Sequence, residues 1–200
     1  MQVAPRRDTL RSTLGAGAGL LAFALLAGIL GGVAWGALRP AYVVKTLDDG
    51  VAVDQIASPP NVEFAALGWF AVLTTVVCAL IGLTAWRQTT SGASRGSVGW
   101  LWWVVACAAC ATGTLYVFGD WTALLLHDMP PHGDGNGGGF EPGQTFSLVP
   151  PVRPGAAWAA GPFAAALVYW VANFVSYTQL DAQVKREMLP GTIPAVQVAN

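Results

Sequence analysis

Charge is what this sequence has least of. Only 10% of its 200 residues are Asp, Glu, Lys or Arg, against roughly 25% in ordinary soluble domains. The net charge of −1 leaves no basic field that would hold nucleic acid. Lysine is nearly missing: Lys45 and Lys185 are its two occurrences, and the other eight basic residues are Arg. Cysteine is scarce too. Cys78, Cys107 and Cys110 all lie within apolar stretches, which excludes an ectodomain stapled by disulfides. The sequence holds no Ser/His/Asp grouping and no phosphate-binding loop, so an enzyme is not expected.

What fills the space left by charge is apolar surface, 54% of the chain. A helix needs about 20 apolar residues to cross a bilayer core of ~30 Å, because each backbone N–H and C=O must be satisfied inside the segment. Residues 14–38, 64–86, 98–119 and 157–180 meet that length without an interior charge. Trp35, Trp69, Trp86, Trp100, Trp102, Trp103, Trp121 and Trp158 fall near the ends of these runs, where indole suits the headgroup level. The expected fold is therefore an all-α membrane protein of four transmembrane helices, with the bilayer as its first partner. Arg6, Arg7 and Arg11 ahead of the first run resemble a signal peptide or a twin-arginine signal. That run far exceeds the roughly 7–15 residues of a signal core, so a retained first helix is expected.

Basic residues set the orientation. Arg6, Arg7, Arg11, Arg87, Arg95, Lys185 and Arg186 lie on one side, and Arg39, Lys45 and Arg153 on the other. Positive charge favours the cytoplasm. Residues 1–13 and 181–200 are accordingly expected as cytoplasmic ends of a multi-pass protein of the plasma (inner) membrane, with outer loops at 40–63 and 120–156. The acids Asp48, Asp49, Asp54, Glu63, Asp120, Asp128, Asp134 and Glu141 all fall on the outer side. In the first outer loop, Tyr42 to Thr46 and Val51 to Val53 flank Asp48-Asp49-Gly50 and read as a small β-hairpin. The second begins apolar, from Trp121 to Leu126, which suggests a third helix projecting past the membrane. It then turns Gly/Pro-rich from Met129 to Gly143 and reads as flexible. The short inner loop, 87–97, makes spans two and three antiparallel neighbours.

Gly28, Gly32 and Gly36 recur every four residues on one face of the first span. Positions without side chains let another helix backbone approach closely, which is how membrane helices gain packing energy. Gly15 and Gly19 begin a similar pattern slightly off that face, and Ala157, Gly161 and Ala165 repeat it in span four. Packing within the bundle is the leading reading, and contact with a second copy or a partner helix the alternative. Asn173 is an amide inside the fourth span, which reads as glue between helices. Cys107 and Cys110 share a helix face, but they sit among alanines without an activating charge or a relay pair. A space-filling role is expected of them. His127, Asp128, His132 and Asp134 cluster in the second outer loop, yet their spacing fits no closed zinc site. Asp134, Asn136 and Gly138 start like a calcium loop without its terminal Glu. No metal and no cofactor are expected.

Gly32-Val33-Ala34-Trp35-Gly36-Ala37-Leu38-Arg39-Pro40, then Glu63-Phe64, Gly68-Trp69-Phe70, Trp86 and Arg95-Gly96, carry a family likeness. Across roughly residues 14–120 they resemble an actinobacterial family of four-helix membrane proteins known as a domain of unknown function. The resemblance implies topology and lineage, and no site comes with it. The function expected from the residues is that of a non-enzymatic structural or accessory component of a membrane or cell-envelope complex. It would work with a membrane-protein partner or as a homo-oligomer. A small oligomeric transporter or channel is the chief rival, although no ionisable group lies at mid-membrane. A membrane thiol oxidoreductase is the weaker one.

Overall fold

The computed structural model describes residues 6–47, 50–89, 97–127 and 143–188. Four long helices carry the fold: α1 (Arg6–Leu38), α2 (Val62–Thr89), α3 (Val98–Leu126) and α4 (Ala160–Met188). Between them lie β1 (Tyr42–Leu47), β2 (Gly50–Val53), β3 (Thr145–Leu148) and a 3-10 turn, Gly155–Ala159. Among the described residues, four stretches are long and apolar enough to cross a membrane: Thr13–Leu38, Val62–Thr89, Val98–Leu126 and Gly155–Lys185. The chain is a multi-pass membrane protein.

Local chemistry marks the helix ends. Ser97 caps α3 by accepting a hydrogen bond from the Trp100 N–H at 3.3 Å. Arg39-Pro40 follows α1, and proline cannot extend the helical hydrogen-bond ladder. Asn61 turns into α2 at φ 56°, in the left-handed region that Asn tolerates. Glu63 in the first turn and Arg87 in the last match the α2 helix dipole.

Several boundaries differ from the sequence reading. α1 begins at Arg6 and α4 continues to Met188, so parts of both expected tails are helical. α3 runs past Gly119 to Leu126, the projection that the apolar run Trp121 to Leu126 suggested, with Asp120 paired to Arg39. The expected hairpin is one part of a three-stranded antiparallel sheet of order β2-β1-β3. β3 returns from the second interhelical loop and pairs with β1, Tyr42 opposite Leu148 and Val44 opposite Phe146. On the other edge Val44 faces Val53. Of the flexible stretch expected at 129–143, residues 129–142 lie outside the described residues.

Each helix reverses the direction of the one before it, so α1 runs parallel to α3 and α2 to α4. These parallel pairs make the most extensive contacts, with α1–α2 and α3–α4 completing the square. Spans two and three do touch, but over a narrower contact than either parallel pair. Leu20, Ala24, Cys78, Ile81, Cys107, Ala108 and Ala111 fill the half of the bundle away from the sheet. Trp35, Ala66, Phe70, Leu115 and Val152 fill the half beneath it. Outward, Leu26, Leu30, Val72, Val76, Val117 and Leu167 are exposed in the isolated chain, as lipid-facing positions should be.

Candidate functional site

The glycine face of α1 lies on the backbone of α3. A Cβ built at Gly28 would fall 2.7 Å from the Ala111 carbonyl oxygen, one at Gly32 2.6 Å from that of Leu115, and one at Gly36 2.6 Å from that of Gly119. Both members advance by four residues at each step, which is the signature of a parallel seam without side chains between the backbones. Gly15 and Gly19, by contrast, have nothing within 4 Å. A second close approach joins α2 and α4. A Cβ at Gly82 would meet the Ala165 carbonyl oxygen at 2.5 Å, and one at Gly161 would meet Thr112 Oγ1 at 2.6 Å and Cys78 Sγ at 2.8 Å.

Asn173 is buried, but its amide donates to the Tyr169 carbonyl in its own helix at 2.8 Å. The interhelical bond expected of it is not made by that donor, which is taken up by the carbonyl one turn back. The same economy governs Thr74, which donates to Phe70, and Thr112, which donates to Ala108. Among the bonds that do cross between helices are Trp86 Nε1 to Ser176 Oγ, 3.1 Å, and Trp103 Nε1 to the Gly17 carbonyl, 3.2 Å.

Above the seam, beneath the sheet, four rings meet. Trp35 of α1 lies edge-on to Phe70 of α2 at 5.2 Å and stacks on Tyr116 of α3 at 6.0 Å. Trp158 of the 3-10 turn closes the set, 5.8 Å from Phe70 and 5.2 Å from Tyr116. The polar atoms of the buried Trp35 and the part-buried Tyr116 are satisfied. Trp35 Nε1 donates to the Ala66 carbonyl at 2.9 Å, and the Tyr116 hydroxyl to that of Val152 at 3.1 Å.

Arg39 caps this cluster. Its side chain is 1% exposed, with the guanidinium carbon 5.0 Å from the Trp35 ring centroid. Nη1 donates to Asp120 Oδ1 at 2.8 Å, and Nη2 donates to the Pro150 carbonyl. Nε is buried without a partner among the described residues. A buried guanidinium is costly unless it is paired. Here it ties together the end of α1, the C-terminal part of α3 and the segment that leads into α4. Sequence reasoning assigned Arg39 and Asp120 only to a loop charge count. The available signal was Asp120 itself, an acid flanked by the apolar residues of Val117-Phe118-Gly119 and Trp121.

In the sheet, Lys45 pairs with Asp54 at 2.5 Å, and the Asp54 carboxylate also accepts the backbone N–H groups of Ile56 and Ala57. The ammonium of Lys45 first, and the Ala57 N–H next, hold this carboxyl below its ordinary value.

The other candidate groups do not converge. Cys107 is buried and Cys110 exposed, and both are free thiols. His127 sits at the end of α3 with Nδ1 2.9 Å from the Ala123 carbonyl oxygen. Asp128, His132, Asp134, Asn136 and Gly138 lie outside the described residues. Among the described residues, no group of three or more metal-ligating side chains forms. The chain matches no protein-family model, no curated protein and no solved structure.

Proposed function

We propose that this chain is a non-enzymatic accessory subunit of a membrane or cell-envelope complex, acting through its surfaces. One observation carries the reading: the bundle is closely packed from the level of Gly28 to the sheet end. Backbones touch at the seam, the polar side chains Thr74, Thr112 and Asn173 bond back into their own helices, and Arg39 closes the sheet end. A chain built this way offers little interior for a substrate and much exterior for a partner. In this reading the sheet lies outside the cytoplasmic membrane and both termini lie within. The kinship with the actinobacterial family belongs to the same proposal and is supported by the motifs around Trp35 and Trp69.

The test is affinity purification of the full chain from native membranes in mild detergent. A partner recovered in fixed ratio supports the accessory role. Recovery as a homo-oligomer that conducts ions or solutes in liposomes would replace it with the transporter reading.

A further inference from the structure

Beside the aromatic cluster the chain forms a groove of about 460 Å³. One wall is the first turns of α2, Glu63, Phe64 and Leu67, and the other is Pro151, Val152 and Arg153. Its charges are opposite in sign and face a shared space. Among the described residues, neither Glu63 nor Arg153 has an ion-pair partner, and they do not pair with each other. Both are solvent-accessible, whereas Val152 beneath them is 6% exposed.

The Arg153 wall is held in place before any ligand arrives. Tyr116 donates to the carbonyl of Val152 and Arg39 to that of Pro150, while Pro150, Pro151 and Pro154 restrict the backbone. A wall fixed in this way loses little freedom on binding. The groove also has a definite depth. Glu63 and Phe64 open the membrane-crossing stretch Val62–Thr89, so the charges stand at headgroup level, and Phe64 is 77% exposed at the mouth.

We propose that this groove binds the headgroup of a zwitterionic phospholipid of the phosphoethanolamine type. The guanidinium of Arg153 takes the phosphate, for which its planar fork of donors is suited. The carboxylate of Glu63 accepts from the ammonium. The start of an acyl chain lies along Phe64 and Leu67. An anionic lipid without the ammonium satisfies only Arg153 and leaves its own charge facing Glu63. A soluble zwitterion satisfies both charges but makes no use of the apolar wall.

Native mass spectrometry of the full chain, released from detergent with equal amounts of phosphatidylethanolamine and phosphatidylglycerol, tests the assignment. The unmodified chain should retain the ethanolamine lipid about tenfold more than the glycerol lipid, the scale of one charge-assisted contact. Glu63→Gln should erase that preference while keeping phosphatidylglycerol bound. Arg153→Gln should lose both lipids, and Arg153→Lys should recover part of the binding. Equal retention of the two lipids by the unmodified chain would overturn the proposal, as would an intact preference in Glu63→Gln. Complete displacement by the same concentration of glycerophosphoethanolamine would overturn the lipid as occupant, because the acyl chain would then contribute nothing.

Discussion

Gly119 lies against the indole of Trp35 so closely that a Cβ at position 119 would stand 2.1 Å from Trp35 Cε3. That contact joins two parts of the molecule, the glycine seam below and the ring cluster above. Gly119→Ala should therefore push Trp35 off Phe70 and Tyr116. Overpacking of this kind costs about 1–3 kcal/mol, read as a lower midpoint of thermal unfolding in detergent. Gly113→Ala is the internal comparison, since nothing lies within 4 Å of it. It should be neutral or slightly stabilising, by up to roughly 1 kcal/mol from helix propensity. Identical midpoints for the two variants would mean that position 119 is not tightly packed.

The seam itself is tested by size. Gly32→Leu must separate α1 from α3, because the Leu115 carbonyl occupies the space a side chain would need. Folded protein recovered from membranes should fall severalfold. Gly19→Leu, on an open face of the same helix, should leave the yield unchanged. A normal yield for Gly32→Leu would disprove the close approach.

Removing the guanidinium of Arg39 leaves the Pro150 carbonyl without its donor and Asp120 without its ion-pair partner. Arg39→Met should cost about 1–3 kcal/mol, the scale of a buried carbonyl left without its donor, because water can solvate the part-exposed Asp120. Asp120→Asn should cost more, about 3 kcal/mol, because it strips the counter-charge from a guanidinium that is 1% exposed. Limited proteolysis should show faster cleavage near Arg153 in Arg39→Met. Unchanged protection there would remove Arg39 from its role in fixing that segment.

Acid should loosen the turn after β2. The carboxyl of Asp54 is held below its ordinary value of 3.8, chiefly by Lys45. A depressed folded-state value means the contribution is fully present above the unfolded value. It is lost as pH falls below 3.8 through the folded value. Amide exchange at Ile56 and Ala57, whose N–H groups bond this carboxylate, should speed up in that window beyond the intrinsic rate. Asp54→Asn should remove this extra step. A step that persists in Asp54→Asn would assign it to another group.

Orientation follows from the basic residues. Reporter fusions after Gln88 and Asn200 should read as cytoplasmic, and fusions near Gly50 and Gly137 as external. An external reading at Asn200 with an external reading at Gly50 would contradict an even number of crossings.

The helices were legible because a bilayer imposes one rule, a long apolar run, that needs no knowledge of tertiary contacts. The spacing of Gly28, Gly32 and Gly36 was legible for the same reason, as a local pattern. Which helix they meet was not, since α3 lies beyond α2 in the chain and its own contribution, Ala111, Leu115 and Gly119, mixes sizes. β3 was missed because Thr145 to Leu148 is four residues long and has no meaning until β1 is beside it. Arg39 and Asp120 were read as loop charges because their pairing spans 81 positions of sequence. Asn173 was read as a link between helices, whereas its donor takes the nearer carbonyl of Tyr169.

The parallel pairing of α1 with α3 has a consequence for biogenesis. Synthesis runs from the N-terminus, so α1 and α2 enter the bilayer while the surface that will cover Gly28, Gly32 and Gly36 has yet to be made. The first hairpin must persist as a half-assembled intermediate until α3 arrives. Only after that can β3 reach β1 and the Pro150 carbonyl reach Arg39. A chain released after α2 therefore has neither α3 to cover Gly28, Gly32 and Gly36 nor β3 and the Pro150 carbonyl to meet β1 and Arg39.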